Sequence, residues 1–214
     1  MAMTIVMVLV LAGGAVALAD DVVVVASELT AEEVYAASSA AVVVSVRAVG
    51  NAFAALAEAK TAGEDDLVIA AAADAAAVAV AEMVALCAEK SALATDMAYA
   101  ALGVAADSGI TLDDIMANGD RAFAAGEALE EIDPASAIEA YDLAANLYER
   151  CAVAYGYFED AEEMNTIVVE LGDPAVDWAA SFLLRDVESL NVSAAGLLEA
   201  ADEMMADLEA EIAA

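Results

Sequence analysis

The side chains that most often carry catalysis or bind metals are scarce in this sequence. It has two cysteines, Cys87 and Cys151, and no histidine among its 214 residues. The absence of histidine excludes His-based catalytic triads, the Glu-x-x-His di-iron motif and His-containing zinc sites. Ser38, Ser39 and Ser45 have no base or oxyanion element beside them in the sequence. We therefore expect no catalytic residue, no metal site and no cofactor, and we do not expect an enzyme.

Both cysteines lie inside apolar helical patterns. A disulfide framework would require more cysteines in a much shorter secreted chain. Lys90 is the one basic residue within a helical turn of Cys87. Arg150 adjoins Cys151, but i,i+1 side chains on a helix point apart. The sequence predicts two buried thiols that behave as small apolar side chains.

Two acidic runs, residues 64–66 and 159–163, offer carboxylates of the kind that bind Ca²⁺. Neither has the Asp-x-Asp-x-Asp-Gly loop with a distal Glu that surrounds this ion with oxygen ligands. Acids are favourable at the positive end of a helix dipole, so both runs are interpreted as solvated helix starts. A helical stripe of aromatic residues is interpreted as core packing, with a ligand groove as the alternative. The stripe consists of Tyr141, Tyr148, Tyr155, Tyr157 and Phe158.

Net charge excludes two classes of partner. The chain has 39 acidic and 6 basic residues, which gives a formal net charge of -33. Binding to a phosphate backbone or an anionic membrane surface depends on clustered Lys and Arg. We therefore expect neither nucleic acid nor a membrane as a partner.

Composition and periodicity predict a single all-α domain spanning residues 1–214. Hydrophobic residues make up 63% of the chain, aromatic residues 5%, and there are two prolines, a composition typical of helices. Val-rich stretches at 22–25 and 42–46 resemble strands, but they lie inside longer helical registers. We expect eight or nine antiparallel helices in an array or bundle.

Local signals predict where these helices begin and end. Thr30-x-x-Glu33 is a capping box that opens a long helix to about Lys60, and Gly63 ends it. The acidic run at 64–66 opens the next helix. Further starts are expected at Thr111, Asp133-Pro134, Asp173-Pro174 and Asn191-Val192-Ser193, with additional breaks near 27–30, at Ser108-Gly109 and near 156–160.

The segment Met1–Ala19 carries no charged residue. It is interpreted as a fully buried first helix. A signal sequence is an alternative because Ala17-Leu18-Ala19 resembles a cleavage site, and a membrane span is another because of the length of the segment. An apolar helix at the edge of the domain would expose more apolar surface than a monomer tolerates, so we predict a homodimer through the N-terminal helices. The competing arrangement is a monomer in which this helix runs through the centre of the bundle.

One local pattern resembles the helix pair of a tetratricopeptide repeat. It consists of Gly119-Asp120-x-x-Phe123-x-x-Gly126 followed by Ala137-Ile138-x-x-Tyr141-x-x-Ala144. In such a pair, small residues let the helices approach and aromatic residues fill the space between them. Residues 130–134 form an apparent insertion, and no second copy follows at the period of about 34 residues, so an array of repeats is not expected.

A longer set of landmarks resembles 14-3-3 proteins in order and spacing. The matching stretches are residues 20–21, 29–33, 58–63, 82–87, 119–120 and 165–174, and the match needs small gaps. This resemblance covers most of the chain. It implies nine antiparallel helices forming a cup, with dimerisation through the N-terminal helices.

The same resemblance implies a peptide-binding groove containing Arg47, Arg121, Asn165 and Glu170. In that family one Lys, two Arg and a Tyr bind phosphoserine or phosphothreonine, because a dianionic phosphate requires convergent cations. This chain has only Arg47 in the matching part of the long helix and only Arg121 after the Gly-Asp pair. We expect the fold of the family without its basic phosphate pocket.

These observations favour a soluble, cytoplasmic helical scaffold for protein–protein interaction, with a signal sequence as the alternative for the N-terminus. The alternative to the scaffold function is a designed or generated helical protein without an evolved biochemical function. The absence of Gln and His, the abundance of Ala and the regular caps favour that alternative. Natural adaptation to high salt would explain the acidic residues but not the missing Gln and His.

Overall fold

The computed structural model describes residues 29–213, which form helices joined by short connections and contain no strand. The helices are α1 (Ala31–Ala62), α2 (Asp66–Leu102), α3 (Leu112–Leu129), α4 (Pro134–Leu171), α5 (Trp178–Leu184) and α6 (Val187–Ala213). The all-α prediction is confirmed. Residues 29–213 contain six helices, fewer than the eight or nine counted for the whole chain. The interpretations of Met1–Ala19, including the dimer contact, lie outside the described residues.

Four predicted helix starts are confirmed by their capping hydrogen bonds. Thr30 and Glu33 form a reciprocal capping box before α1, and Thr111 and Asp114 form another before α3. Asp65 accepts hydrogen bonds from two backbone N–H groups at the start of α2. Asp133 caps α4, with proline at the first helical position. These caps satisfy N–H groups that have no partner inside the helix.

The predicted break near residues 156–160 is wrong, because α4 continues through it to Leu171. Buried residues on both sides of the segment, Ala154 and Ala161, face a long contact with α2. Burial of this face outweighs the helix-interior cost of Gly156, which is about 1 kcal/mol. For the same reason, the acidic run at 159–163 lies in the middle of a helix and is not a helix start.

Two predicted starts in the last third of the chain are also displaced. Asp173 accepts a hydrogen bond from the Ala175 N–H in a turn, and α5 begins only after Asp177, which caps it. Asn191-Val192-Ser193 lies inside α6, which begins at Val187. Asp186 accepts the Ser189 N–H at that start. Asp and Asn satisfy nearby N–H groups in turns as readily as at helix starts, so their presence alone does not locate a helix.

The helices pack in the order α3, α4, α2, α1, α6, and α5 lies against α2. The larger core fills the space among α1, α2, α5, α6 and the end of α4, and its most buried large side chains include Leu56, Phe182 and Leu190. The smaller core joins the end of α2 to α3 and α4 around Leu102, Ile115 and Ala154. Among the helices of residues 29–213, α3 and α6 stand at the two ends of this order.

Close approach of α3 to α4 depends on two glycines that face tyrosine rings. A Cβ added at Gly126 would lie 2.6 Å from Cε1 of Tyr141, and one added at Gly119 would lie 2.8 Å from Cε1 of Tyr148. The Tyr141 hydroxyl donates to Glu130 at 2.6 Å, and its ring lies 5.3 Å from that of Phe123. Small residues therefore let α3 and α4 approach closely, and aromatic side chains fill the space between them.

By length and composition, α1 and α2 are each apolar enough to cross a membrane. In α1, half of the most apolar window is buried inside the protein, whereas in α2 the buried share is 22%. Core helices of soluble proteins and signal sequences meet the same criterion, so this property is weak support for a membrane location.

Candidate functional site

An open cleft of about 910 Å³ lies among the first half of α1, the middle of α4 and the last turns of α6, and Lys90 of α2 also lines it. Its apolar lining is provided by Val43, Val153, Met164, Met204, Leu208 and Ile212. Its charged lining is provided by Glu32, Lys90, Asp160, Glu163, Asp207 and Glu211. The cleft therefore combines apolar contact area with five carboxylates and one ammonium group.

A polar cluster that connects three helices lies in this cleft. The Lys90 Nζ of α2 is 2.7 Å from Asp160 Oδ1 of α4 and forms an ion pair with it. The Tyr35 hydroxyl of α1 donates a hydrogen bond to the other oxygen of the same carboxylate. Lys90 is 7% exposed, although it is charged. A buried charge is tolerated when it is paired and hydrogen-bonded, and Asp160 provides both interactions for this ammonium group.

Aromatic rings enclose the same cluster. The Lys90 Nζ lies 5.7 Å from the centroid of the Tyr35 ring, within the range of a cation–π interaction. The Tyr35 ring meets that of Tyr157 edge to face at 5.1 Å. Burial and the hydrogen bond to Asp160 raise the pKa of Tyr35 well above its ordinary value. The phenol therefore remains a neutral hydrogen-bond donor at physiological pH, and the cluster joins α1, α2 and α4 at the cleft.

The two thiols are placed as the sequence predicts. Cys87 and Cys151 are both free and buried. Burial raises the pKa of both thiols. This direction disfavours the thiolate, which is the nucleophilic form. Within residues 29–213, no group of three or more Cys, Asp and Glu side chains is arranged to hold a metal ion.

The four residues implied by the 14-3-3 resemblance lie outside the lining of the cleft. Arg47 of α1 is paired with Asp202 of α6. Arg121 of α3 donates to Asn118 Oδ1 at 3.0 Å. Asn165 and Glu170 are exposed on α4. Because α1 packs against α2 and α6, whereas α3 packs against α4, the two arginines belong to different helix pairs.

The remaining cations also have intramolecular partners. Lys60 donates to the carbonyls of Phe182 and Leu183 at the end of α5, at 3.1 and 3.0 Å. Arg150 donates to two carbonyls at the end of α2. Arg185 donates to the hydroxyls of two serines of α6. All six basic residues of the chain are within residues 29–213, and each contacts a carboxylate, an amide, a hydroxyl or helix-end carbonyls.

The aromatic stripe proves to be only partly a core feature. Tyr155 is 55% exposed, Tyr157 lines the cleft, and Phe158 packs edge to face against Tyr99 of α2 at 5.5 Å. Tyr141 and Tyr148 line a second, smaller depression of about 470 Å³ between α3 and α4. The core interpretation therefore holds for Phe158 and is wrong for Tyr155.

Sequence reasoning missed the cluster of Tyr35, Lys90 and Asp160. One available signal was Lys90 itself, because it follows a long apolar run of α2 in which the other charged side chains are acids. A lone cation in such a run requires a buried counter-charge. That signal does not identify the partner, which lies 70 residues away along the chain.

No protein-family model, curated protein or solved structure matches this chain.

Proposed function

We propose that the protein is a helical scaffold for protein–protein interaction that holds a segment of its partner in the cleft. The cleft is the observation that carries this proposal, because it is concave, open and lined largely by apolar side chains of three helices. Apolar grooves between helices are a recurrent way to bind an amphipathic partner helix. Met204 contributes to the lining, and its flexible, polarisable side chain adapts to varied partner surfaces.

The cleft supports a mode of binding different from that of a phosphopeptide adaptor of the 14-3-3 kind. Recognition of a phosphate requires several free cations that converge on one point. The one cation of this cleft, Lys90, is paired with Asp160. Arg47 and Arg121 have partners elsewhere. A phosphorylated segment would instead meet the carboxylates of the rim, so the scaffold is proposed to bind an unphosphorylated one.

The experiment uses three labelled peptides of about 14 residues, roughly four helical turns. All carry leucine at positions i, i+3, i+4 and i+7. The remaining positions are filled with Gln in the first peptide, with Lys in the second and with Glu in the third. Fluorescence anisotropy measures binding to the full-length protein. We expect saturable binding of at least one peptide, with changes in the methyl resonances of Met164 and Met204, which line the cleft, but not of Met116 on α3.

A matched pair of variants locates the binding. Ala36 and Ala55 are both exposed on α1, and only Ala36 lines the cleft. The variant Ala36→Trp is expected to abolish peptide binding, whereas Ala55→Trp is expected to preserve it. Failure of all three peptides to bind, or equal binding by the two variants, would overturn the scaffold proposal and favour a helical protein without an evolved function.

A further inference from the structure

The charges around the cleft indicate which partner segment it fits. Glu32, Glu163, Asp207 and Glu211 line the cleft together with the apolar residues, and within residues 29–213 none of these four carboxylates is in a salt bridge. Lys90 and Asp160 neutralise each other. The lining therefore presents an uncompensated charge of about -4 beside an apolar surface, in a chain whose net charge is already -33.

The end of α6 adds to this negative potential. Glu211 lies in the last turn of α6, and that turn contains no basic residue. A helix C-terminus carries a partial negative charge, so a carboxylate there is unfavourable and a cation is favourable. Glu211 is also close enough to Tyr35 and Tyr157 to raise the pKa of both phenols, although burial is the larger cause. A cation is therefore most favourable at the mouth of the cleft, between α1 and α6.

The size of the cleft limits what can occupy it. The lining residues of α6 run from Met204 to Ile212, about 12 Å along that helix at a rise of about 1.5 Å per residue. At a pitch of about 5.4 Å, this wall is as long as about two turns of a partner helix. The segment of the chain that precedes α1 is a poor chemical match for this acidic lining, because residues 1–28 carry three acidic side chains and no basic one.

On the basis of the proposed function, we infer that the partner segment is a basic amphipathic helix. About two of its turns lie in the cleft, with apolar side chains against the surface that includes Val153, Met204 and Ile212. Its Lys or Arg side chains lie at Glu32, Asp207 and Glu211. Apolar burial supplies affinity, and the acidic rim selects the sign of the partner's charge and speeds association.

The peptide series above tests this inference separately from the scaffold proposal. We expect the Lys peptide to bind more tightly than the Gln peptide, and the Glu peptide to bind weakest. We also expect the affinity of the Lys peptide to fall as salt rises, because salt screens exposed charges. Binding of the Gln peptide as tight as that of the Lys peptide would overturn the basic-helix inference while leaving the scaffold proposal intact.

Matched charge variants distinguish the cleft from the general negative field of the protein. The double variant Asp207→Asn/Glu211→Gln removes two carboxylates of α6 that line the cleft. The double variant Glu199→Gln/Glu203→Gln removes two exposed carboxylates of the same helix that do not line it. The first variant removes two exposed ion pairs with the peptide, so we expect it to lower the affinity for the Lys peptide roughly two- to thirtyfold. A smaller loss is expected for the second, and equal losses would show non-specific attraction and overturn the inference.

Discussion

The contact between Gly126 and Tyr141 provides a quantitative test of how α3 packs on α4. A Cβ at position 126 would lie 2.6, 2.7 and 2.9 Å from three atoms of the Tyr141 ring. The ring cannot turn away freely, because Glu130 accepts its hydroxyl hydrogen bond and Phe123 packs against it. The substitution Gly126→Ala should therefore force the two helices apart or displace the ring.

The expected magnitude is the difference between two effects. Overpacking of this kind costs about 1–3 kcal/mol. Replacement of glycine by alanine inside a helix contributes about 1 kcal/mol in the opposite direction. Gly126→Ala is therefore expected to lower the free energy of unfolding by about 0–2 kcal/mol.

Gly156 provides the matched control, because it lies inside α4 and a Cβ there would meet no heavy atom within 4 Å. Gly156→Ala should raise the free energy of unfolding by about 1 kcal/mol. Urea denaturation followed by far-UV circular dichroism should separate the two variants by about 1–3 kcal/mol, or roughly 2–12 °C in Tm. If Gly126→Ala were as stable as Gly156→Ala, the close approach of α3 and α4 would be refuted.

Three further predictions concern charges. Lys90→Met should lower the free energy of unfolding by about 3 kcal/mol, because it leaves Asp160 without its ion pair. Lys90→Met/Asp160→Asn removes the unpaired charge and keeps an acceptor for the Tyr35 hydroxyl, so it should recover much of that loss in urea denaturation; no recovery would contradict the pairing. Asp133→Ala should destabilise the protein at neutral pH, because hydrogen bonds from the Ser136 side chain and backbone lower the pKa of Asp133 in the folded state. Its stabilising effect is present above the unfolded pKa of about 3.9 and is lost as pH falls through the lower folded pKa, so the difference in urea midpoint should shrink in acid; a constant difference would refute this cap. The Tm should rise between low and molar salt, because ions screen the mutual repulsion of the acidic residues over a Debye length of about 10 Å at 0.1 M; an unchanged Tm would show that surface charge does not limit stability.

Helix starts could be predicted from the sequence where the capping interaction is local and strong. Thr30 and Thr111 each bond to a residue three positions later, so a few adjacent residues determine the cap. Gly63 ends α1 with a φ of 69°, a conformation that glycine adopts without a Cβ clash. Gly156 carries a similar local signal, but the packing of α4 against α2 carries the helix through it. Asp173 accepts an N–H in a turn, an interaction that the same residue type makes at helix starts.

The candidate site could not be predicted in the same way, because its parts are distant in the sequence. Tyr35 and Asp160 are 125 residues apart, and Lys90 and Asp160 are 70 residues apart. Their contact depends on the order in which α1, α2 and α4 pack, which helical periodicity does not specify. The 14-3-3 resemblance rests on position along the chain, and Arg47 and Arg121 lie on helices that pack in different pairs.

The small number of cations connects the fold to the proposed function. Lys60 and Arg150 bond to carbonyls at helix ends, Lys90 and Arg47 pair with carboxylates, and Arg121 and Arg185 bond to neutral polar groups. With 39 acidic residues and six cations already engaged within the chain, any further neutralisation must come from outside it. Over most of the surface, dissolved salt can supply that charge. In the cleft, where carboxylates border an apolar surface, a partner with both apolar and cationic side chains satisfies the two demands together, which a salt ion cannot do.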